Sequence, residues 1–136
     1  MRADYQHLSI ETGQEMIKAF WVRSSKFGFH WHYHPELEIT CIIQGRGNRL
    51  IGDSLQPFGV GDFVFMGSNL PHTWISDDDF NQSEQEMEVA VLQFRLDAIP
   101  QEWWPLRDFS HIRRLMEYAI QSSNQKDWYQ IIGRFN

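Results

Sequence analysis

The sequence predicts a mainly β fold, a sandwich or small barrel, followed by a short helical tail. Three observations point there. Apolar runs of about four to eight residues alternate with Gly-, Pro- and Asx-rich turns, at intervals of about eight to twelve residues. β-Branched and aromatic side chains fill those runs. Helical periodicity is missing before residue 100 and present after it.

Residues 1–15 are polar and carry little signal. Residues 16–22, with Met16, Ile17, Ala19, Phe20, Trp21 and Val22, read as a strand, and 23–28 as a connection. A histidine-rich stretch over 29–36 runs into Leu37-Glu38-Ile39-Thr40-Cys41-Ile42-Ile43, which is strongly strand-like. Residues 45–48 make a turn and 49–51 a short strand. Residues 55–58 make another, interrupted by Pro57. Residues 59–62 form a tight turn, because glycine tolerates positive φ. Residues 63–66 carry bulky side chains on both faces, which predicts cover on both. A loop over 67–71 leads to a strand over 72–75. Residues 77–86 read as an acidic, exposed loop, with none of the spaced ligands of a calcium loop. Residues 87–96 close the β region, alternating Val89, Val91, Gln93 and Arg95 against Ala90, Leu92, Phe94 and Leu96.

After Pro100, Ile112, Leu115, Met116, Ala119 and Ile120 recur at helical spacing, with Asp108 or Ser110 placed to cap the start. Asp127 is placed to cap a second helix, with Trp128, Ile131, Ile132 and Phe135 on its apolar stripe. The basic residues here are few and the joining loop lacks glycine, so a helix-turn-helix is disfavoured. The chain stops inside that stripe, which suggests that it continues in a longer protein. The expected division is a barrel over 1–99 and a helical linking or dimerisation segment over 100–136.

A length of 136 residues with 42% hydrophobic content supports one domain whose core needs neither metal nor disulfide. Cys41 is the only cysteine, which excludes an intrachain disulfide; its apolar neighbours predict a buried, inert thiol. The net charge of -6 opposes nucleic-acid binding through a broad surface. No signal-peptide-like run follows the start, and no apolar run approaches the roughly 20 residues of a spanning helix. A cytoplasmic location without a membrane partner is the expectation.

The chemistry gathers in His30-Trp31-His32-Tyr33-His34-Pro35-Glu36-Leu37-Glu38. In a regular strand His30, His32, His34, Glu36 and Glu38 share one face, although Pro35 makes a local irregularity the expectation. Imidazoles and carboxylates in a row are costly to bury unless paired or bound to something. Together they suit a divalent cation such as Zn, Ni, Mn or Fe.

The spacing His32, one residue, His34, three residues, Glu38, six residues, Gly45 resembles the first metal-binding motif of the cupin family. The motif's leading glycine is absent, since position 26 is lysine. The stretch from Gly61 to His72 resembles the second motif, with Gly67, Asn69 and Ser76 where the family has proline, glycine and asparagine. The resemblance implies a double-stranded β-helix, or jelly-roll barrel, and a ligand set of His32, His34, Glu38 and His72. The wider string, through Gly45-Arg46-Gly47, Ile51-Gly52 and Asn69-Leu70-Pro71-His72-Thr73-Trp74, is similar to the N-terminal sensor domain of AraC/XylS-type transcription regulators. That likeness implies an effector-binding barrel, a small polar, sugar-like effector, homodimerisation, and DNA contact only through a C-terminal domain that has no counterpart in these residues.

Two readings of the pocket stay open at this point. Either the set holds metal, or His32, His34 and His72 line a polar pocket for an organic effector. Trp74 shares the parity of His72 and is placed either to stack on a ligand or to pack in the core. His30 reads as a strand-end histidine, and Glu36 as a solvated carboxylate or ion-pair partner. Trp31, Trp103 and Trp104 read as packing residues, and Arg49 and Gln93 are undecided. The competing function is a stand-alone metal-dependent enzyme, a dioxygenase or isomerase. Against it, no further pair of titratable residues is placed as acid and base.

Overall fold

Alternating burial along short strands builds two five-stranded sheets with a cavity between them. The computed structural model describes residues 2–6, 16–115, 117 and 130–134. The strands are β1 (Asp4–Tyr5), β2 (Ile17–Ser24), β3 (His32–Tyr33), β4 (Leu37–Gln44), β5 (Gly47–Ile51), β6 (Ser54–Phe58), β7 (Asp62–Met66), β8 (His72–Ser76), β9 (Met87–Phe94) and β10 (Gln130–Arg134). One sheet has the order β1-β3-β8-β5-β6 and the other β10-β7-β4-β9-β2. This is the jelly-roll arrangement expected from the sequence.

The register of the second sheet sorts its side chains. Glu38 pairs with Gln93, Thr40 with Val91 and Ile42 with Val89, and these residues face the first sheet. There Ile42, Met87 and Val89 pack with Phe58, and Val64 and Met66 pack with Ile51 and Leu70. The alternate residues Leu37, Phe65 and Phe94 form a cluster on the opposite face, joined by Ile39, Phe63 and Leu92. Ile99 and Trp104, from the segment after β9, pack against it. The strand over 63–66 is therefore covered on both faces, as its bulky side chains predict.

Close approach fixes one glycine. A Cβ on Gly47 would sit 2.0 Å from the Ile75 carbonyl oxygen, so β5 and β8 lie together at that point only without a side chain. Beside it, Arg49 is fully buried and donates to Asp62 Oδ2 at 3.2 Å, to the Pro57 carbonyl at 3.0 Å and to Gln56 Oε1 at 2.9 Å. It ties β5 to β6 and β7 and stays out of the cavity lining.

The structure departs from the sequence reading in four places. Asp4–Tyr5 is a short strand parallel to β3, in a stretch that carries no pattern because it is two residues long. The acidic run holds a helical turn, α1 (Asp78–Asn81), with Phe80 buried. Asp78 and Asp79 occupy its first turn, where carboxylates favour the helix dipole, and Phe80 joins the core beside Met87 and Val89. Cys41 is half-buried on the outer face of its sheet instead of buried. In the C-terminal part the helical run from residue 110 is present, and short 3₁₀ turns precede it at Leu96–Ala98, Gln101–Trp103 and Arg107–Phe109. The second helix expected around Ile131 and Ile132 is replaced by β10, antiparallel to β7. The sequence Gln-Ile-Ile-Gly-Arg suits either state locally, and β-branched residues beside an unpaired β7 edge favour the strand. Ile112 and Leu115 are exposed, and Met116, Ala119, Ile120 and Trp128 lie outside the described residues. Among the described residues no helix is long and apolar enough to cross a membrane.

Candidate metal centre

Two loops bring the two motifs together. β3 ends at Tyr33, the chain turns through Pro35 and Glu36, and β4 starts at Leu37. The loop before β8 docks onto this break. The Asn69 amide donates to the His34 carbonyl at 2.8 Å, and the Ser68 hydroxyl donates to the Pro35 carbonyl. Asn69 adopts a left-handed φ of 59°, a conformation asparagine tolerates better than most residues. The docking places His72 directly across from His32 in the sheet. The irregularity at Pro35 breaks the simple parity argument, yet His32, His34 and Glu38 still converge.

One ring nitrogen each of His32, His34 and His72 lie within 4.8 Å of one another. The His32 and His72 ring centroids are 4.3 Å apart, and those of His34 and His72 are 5.1 Å apart. Glu38 joins them: its Oε2 is 2.9 Å from His34 Nε2 and 3.8 Å from His72 Nε2. The carboxylate is held in place by the Thr40 hydroxyl, which donates to Oε1 at 2.8 Å, and by the Gln93 amide, which donates to Oε2 at 2.9 Å.

Backbone carbonyls orient the imidazoles. His32 Nδ1 lies 2.7 Å from the His30 carbonyl and His72 Nδ1 lies 2.7 Å from the Leu70 carbonyl. A carbonyl only accepts, so each Nδ1 carries the proton and each Nε2 presents a lone pair. His72 Nε2 is buried and has no hydrogen-bond partner among the described residues. In His34, Nδ1 faces the Glu36 carbonyl at 3.2 Å and Nε2 faces Glu38. A proton, or a cation in its place, has to lie between Nε2 and the carboxylate.

The electrostatics agree with this arrangement. Burial pushes the His72 imidazole down to about 4, with Glu38 opposing the shift and His32 and His34 adding to it. Burial also lowers His32, against the pull of the His30 carbonyl and Glu38. For Glu38, burial alone would raise the carboxyl, but the hydrogen bond from His34 and the neighbouring imidazoles outweigh it, and the group stays ionised well below the usual carboxylate range. The result is neutral His32 and His72 imidazoles beside a fixed carboxylate, the protonation states that a divalent cation requires. The donor set and the orphaned lone pair thus fit a metal of the Zn, Ni, Mn or Fe type.

The cluster forms the floor of a cavity of about 410 Å³. Phe20, Val22, Phe27, Val89 and Val91 supply apolar wall, and Trp74 closes one side with its ring centroid 5.7 Å from that of His72. Gln93 reaches the site. His30 is exposed at the mouth, stacked on His32 with ring centroids 4.7 Å apart. Glu36 is buried, with Oε2 3.6 Å from His34 Nδ1, so the solvated alternative for it does not hold. The roles of Thr40 and Gln93 as supports for Glu38 were missed in the sequence; the available signal was the shared parity of Thr40 with Glu38 along β4, while Gln93 depends on the pairing of β4 with β9.

A family profile described as the cupin domain matches residues 8–84. No curated protein matches the chain in sequence. Among solved structures the chain is similar to ToxT from Vibrio cholerae, at 13% identity and a TM-score of 0.52, over 90% of this chain and 43% of that one. It is similar to a cupin protein from Bacteroides fragilis, at 13% identity and a TM-score of 0.51, over 73% and 91% of the two chains. It also resembles the DMSP lyase DddQ from Ruegeria pomeroyi, at 25% identity and a TM-score of 0.47, over 62% and 41%. The chain thus spans well under half the length of ToxT and DddQ. With the profile matching more than half of the 136 residues, and the paired sheets closing over its two histidine motifs, the chain belongs to the cupin family.

Proposed function

We propose that the chain is the effector-sensing cupin domain of an AraC-type regulator, in which His32, His34, Glu38 and His72 hold a divalent cation beneath a small-molecule cavity. The observation that carries the metal reading is the buried, unpartnered His72 Nε2 in a cluster where one ring nitrogen each of His32, His34 and His72 lie within 4.8 Å of one another. A lone pair left there costs about 1–3 kcal/mol unless something binds it. When bound, the cation supplies a Lewis-acid anchor for an oxygen of the ligand. The regulator reading rests on the sequence likeness to AraC/XylS sensor domains.

The sheet supplies a route from the cavity to the C-terminal segment. Glu38 pairs with Met66 on β7, and Met66 pairs with Gln130 on β10. A ligand that shifts Glu38 biases the strand that leads into whatever follows, including a DNA-binding domain outside these residues. The exposed Ile112 and Leu115 suit contact with a second copy, in line with a homodimer. The enzymatic alternative, a dioxygenase or isomerase, needs an acid–base pair beyond the ligands. Thr40 and Gln93 in the lining both donate to Glu38, which leaves His30, stacked on His32, as a titratable neighbour of the ligands rather than an acid–base pair.

Elemental analysis of purified protein tests the metal. The wild type is expected to carry about one divalent ion per chain and His34→Ala none, with an unchanged far-UV spectrum. Equal metal in both removes His34 from the set. Oxygen consumption on candidate substrates by the iron-loaded protein would favour the enzyme.

A further inference from the structure

We infer that the cavity is built for a small monocarboxylic acid with an apolar body, its carboxylate at the imidazole floor and bonded to the Trp74 indole N–H. The inference rests on the metal reading above and goes beyond it to the chemistry of the ligand.

The wall chemistry comes first. Phe20, Val22, Phe27, Val89 and Val91 offer a ligand no hydrogen bonds. A sugar carries a hydroxyl on nearly every carbon, and each one buried against these walls would lose its water without replacement. Gln6, Ser24, Lys26, His30 and Thr73 also line the cavity, but most of its lining surface is apolar, which suits an apolar body better than the sugar-like effector expected from the sequence.

Among the described residues that line the cavity, the buried polar atoms without a partner belong to His72 and Trp74. Thr40 and Gln93 line the cavity, but both donate to Glu38. What is left among the described residues includes His72 Nε2 and the Nε1–H of Trp74, which is buried without an acceptor. A buried indole N–H normally finds a partner. The two rings are neighbours, with centroids 5.7 Å apart. The cation takes the lone pair of His72, and one carboxylate set against that cation accepts from the indole N–H.

Charge then selects among head groups. A divalent cation held by three imidazole nitrogens and the single Glu38 carboxylate carries one net positive charge. A monoanion neutralises it; a neutral alcohol or amide does not. Without the cation that positive charge is missing and nothing at the floor attracts the acid. Binding of acid and cation is thus coupled, each strengthening the other. Lys26, exposed among the lining residues, adds positive charge where an anion enters.

The test is calorimetric titration of the full chain, zinc-loaded and metal-free, with acetate, benzoate and octanoate, with benzyl alcohol and octanol as neutral counterparts, and with arabinose. The zinc-loaded protein should bind benzoate or octanoate at least about tenfold more tightly than the matching alcohol. Acetate and arabinose should bind weakly or not at all, and metal-free protein should lose the acid. Trp74→Phe should weaken the acid about tenfold while zinc stoichiometry stays at the wild-type value. Acid and alcohol binding equally to zinc-loaded protein, arabinose binding best, or no acid binding at all would overturn the inference and leave the metal reading standing. Failure of zinc itself to load would overturn the metal reading, and an acid that still bound would then overturn the coupling to the cation.

Discussion

Acid should unfold the metal-free protein early, and His72 should account for most of the early loss. The imidazole is 2% exposed and burial holds its pKa at about 4, against 6.5 for the free side chain. The folded state therefore keeps His72 neutral where the unfolded chain takes up a proton. Between pH 6.5 and 4 the unfolded state binds more protons, so stability falls as pH falls. A drop from 6.5 to about 4, at about 1.4 kcal/mol per pH unit, comes to roughly 3 kcal/mol, most of it gone by pH 4.5. His32 shifts in the same direction and adds to the loss. The Glu38 contribution lies lower: its pKa is depressed, so its share is present above about 4.5 and disappears only in stronger acid. The assay is urea denaturation in EDTA at pH 7.5 and pH 4.5, on the wild type and His72→Gln. The wild type should lose about 2–3 kcal/mol between the two conditions and the variant markedly less. Parallel losses in the two proteins would refute the assignment of the buried, neutral imidazole.

Three further substitutions, with Gly59→Ala as a control, test the frame that holds the site. Gly47→Ala places a Cβ within 2.0 Å of the Ile75 carbonyl and should cost at least about 2 kcal/mol in urea denaturation, whereas Gly59→Ala, with nothing within 4 Å, should stay within about 0.5 kcal/mol; similar effects would contradict the close approach of β5 and β8. Asp62→Ala strips a carboxylate from the buried guanidinium of Arg49 and should cost about 3–5 kcal/mol; a loss below 1 kcal/mol would show that the pair is not buried. Phe80→Ala removes a ring that is 2% exposed and should lower stability by about 3–5 kcal/mol; a neutral result would return the acidic run to the status of a solvated loop.

The parts of this fold that could be read in advance are those whose pattern is local. Residues 37–43 announce a strand through β-branched composition, and 63–66 announce two covered faces through side-chain bulk. The ligand spacing around His32, His34 and Glu38 was legible because it is short. His72 was placed by motif likeness, while its position opposite His32 is a matter of sheet register. What escaped was decided elsewhere in the molecule. Phe80 lies in an acidic run whose composition says solvent, and only the core gap beside Met87 and Val89 draws it in. β10 looks helical by its apolar spacing, and the edge of β7 makes it a strand. The Gln93 contact to Glu38 depends on the register between β4 and β9, which neither strand's sequence records, whereas Thr40 lies two residues along the same strand as Glu38.

Long-range proton–nitrogen NMR of the imidazoles tests the convergence of the histidines most directly. In metal-free protein at pH 7, His32 and His72 should both appear with the proton on Nδ1, and one equivalent of zinc should shift the Nε2 signals of His32, His34 and His72 together, saturating at that equivalent. Protons found on Nε2 of His32 and His72, or nitrogen signals that respond to zinc separately or not at all, would contradict the account.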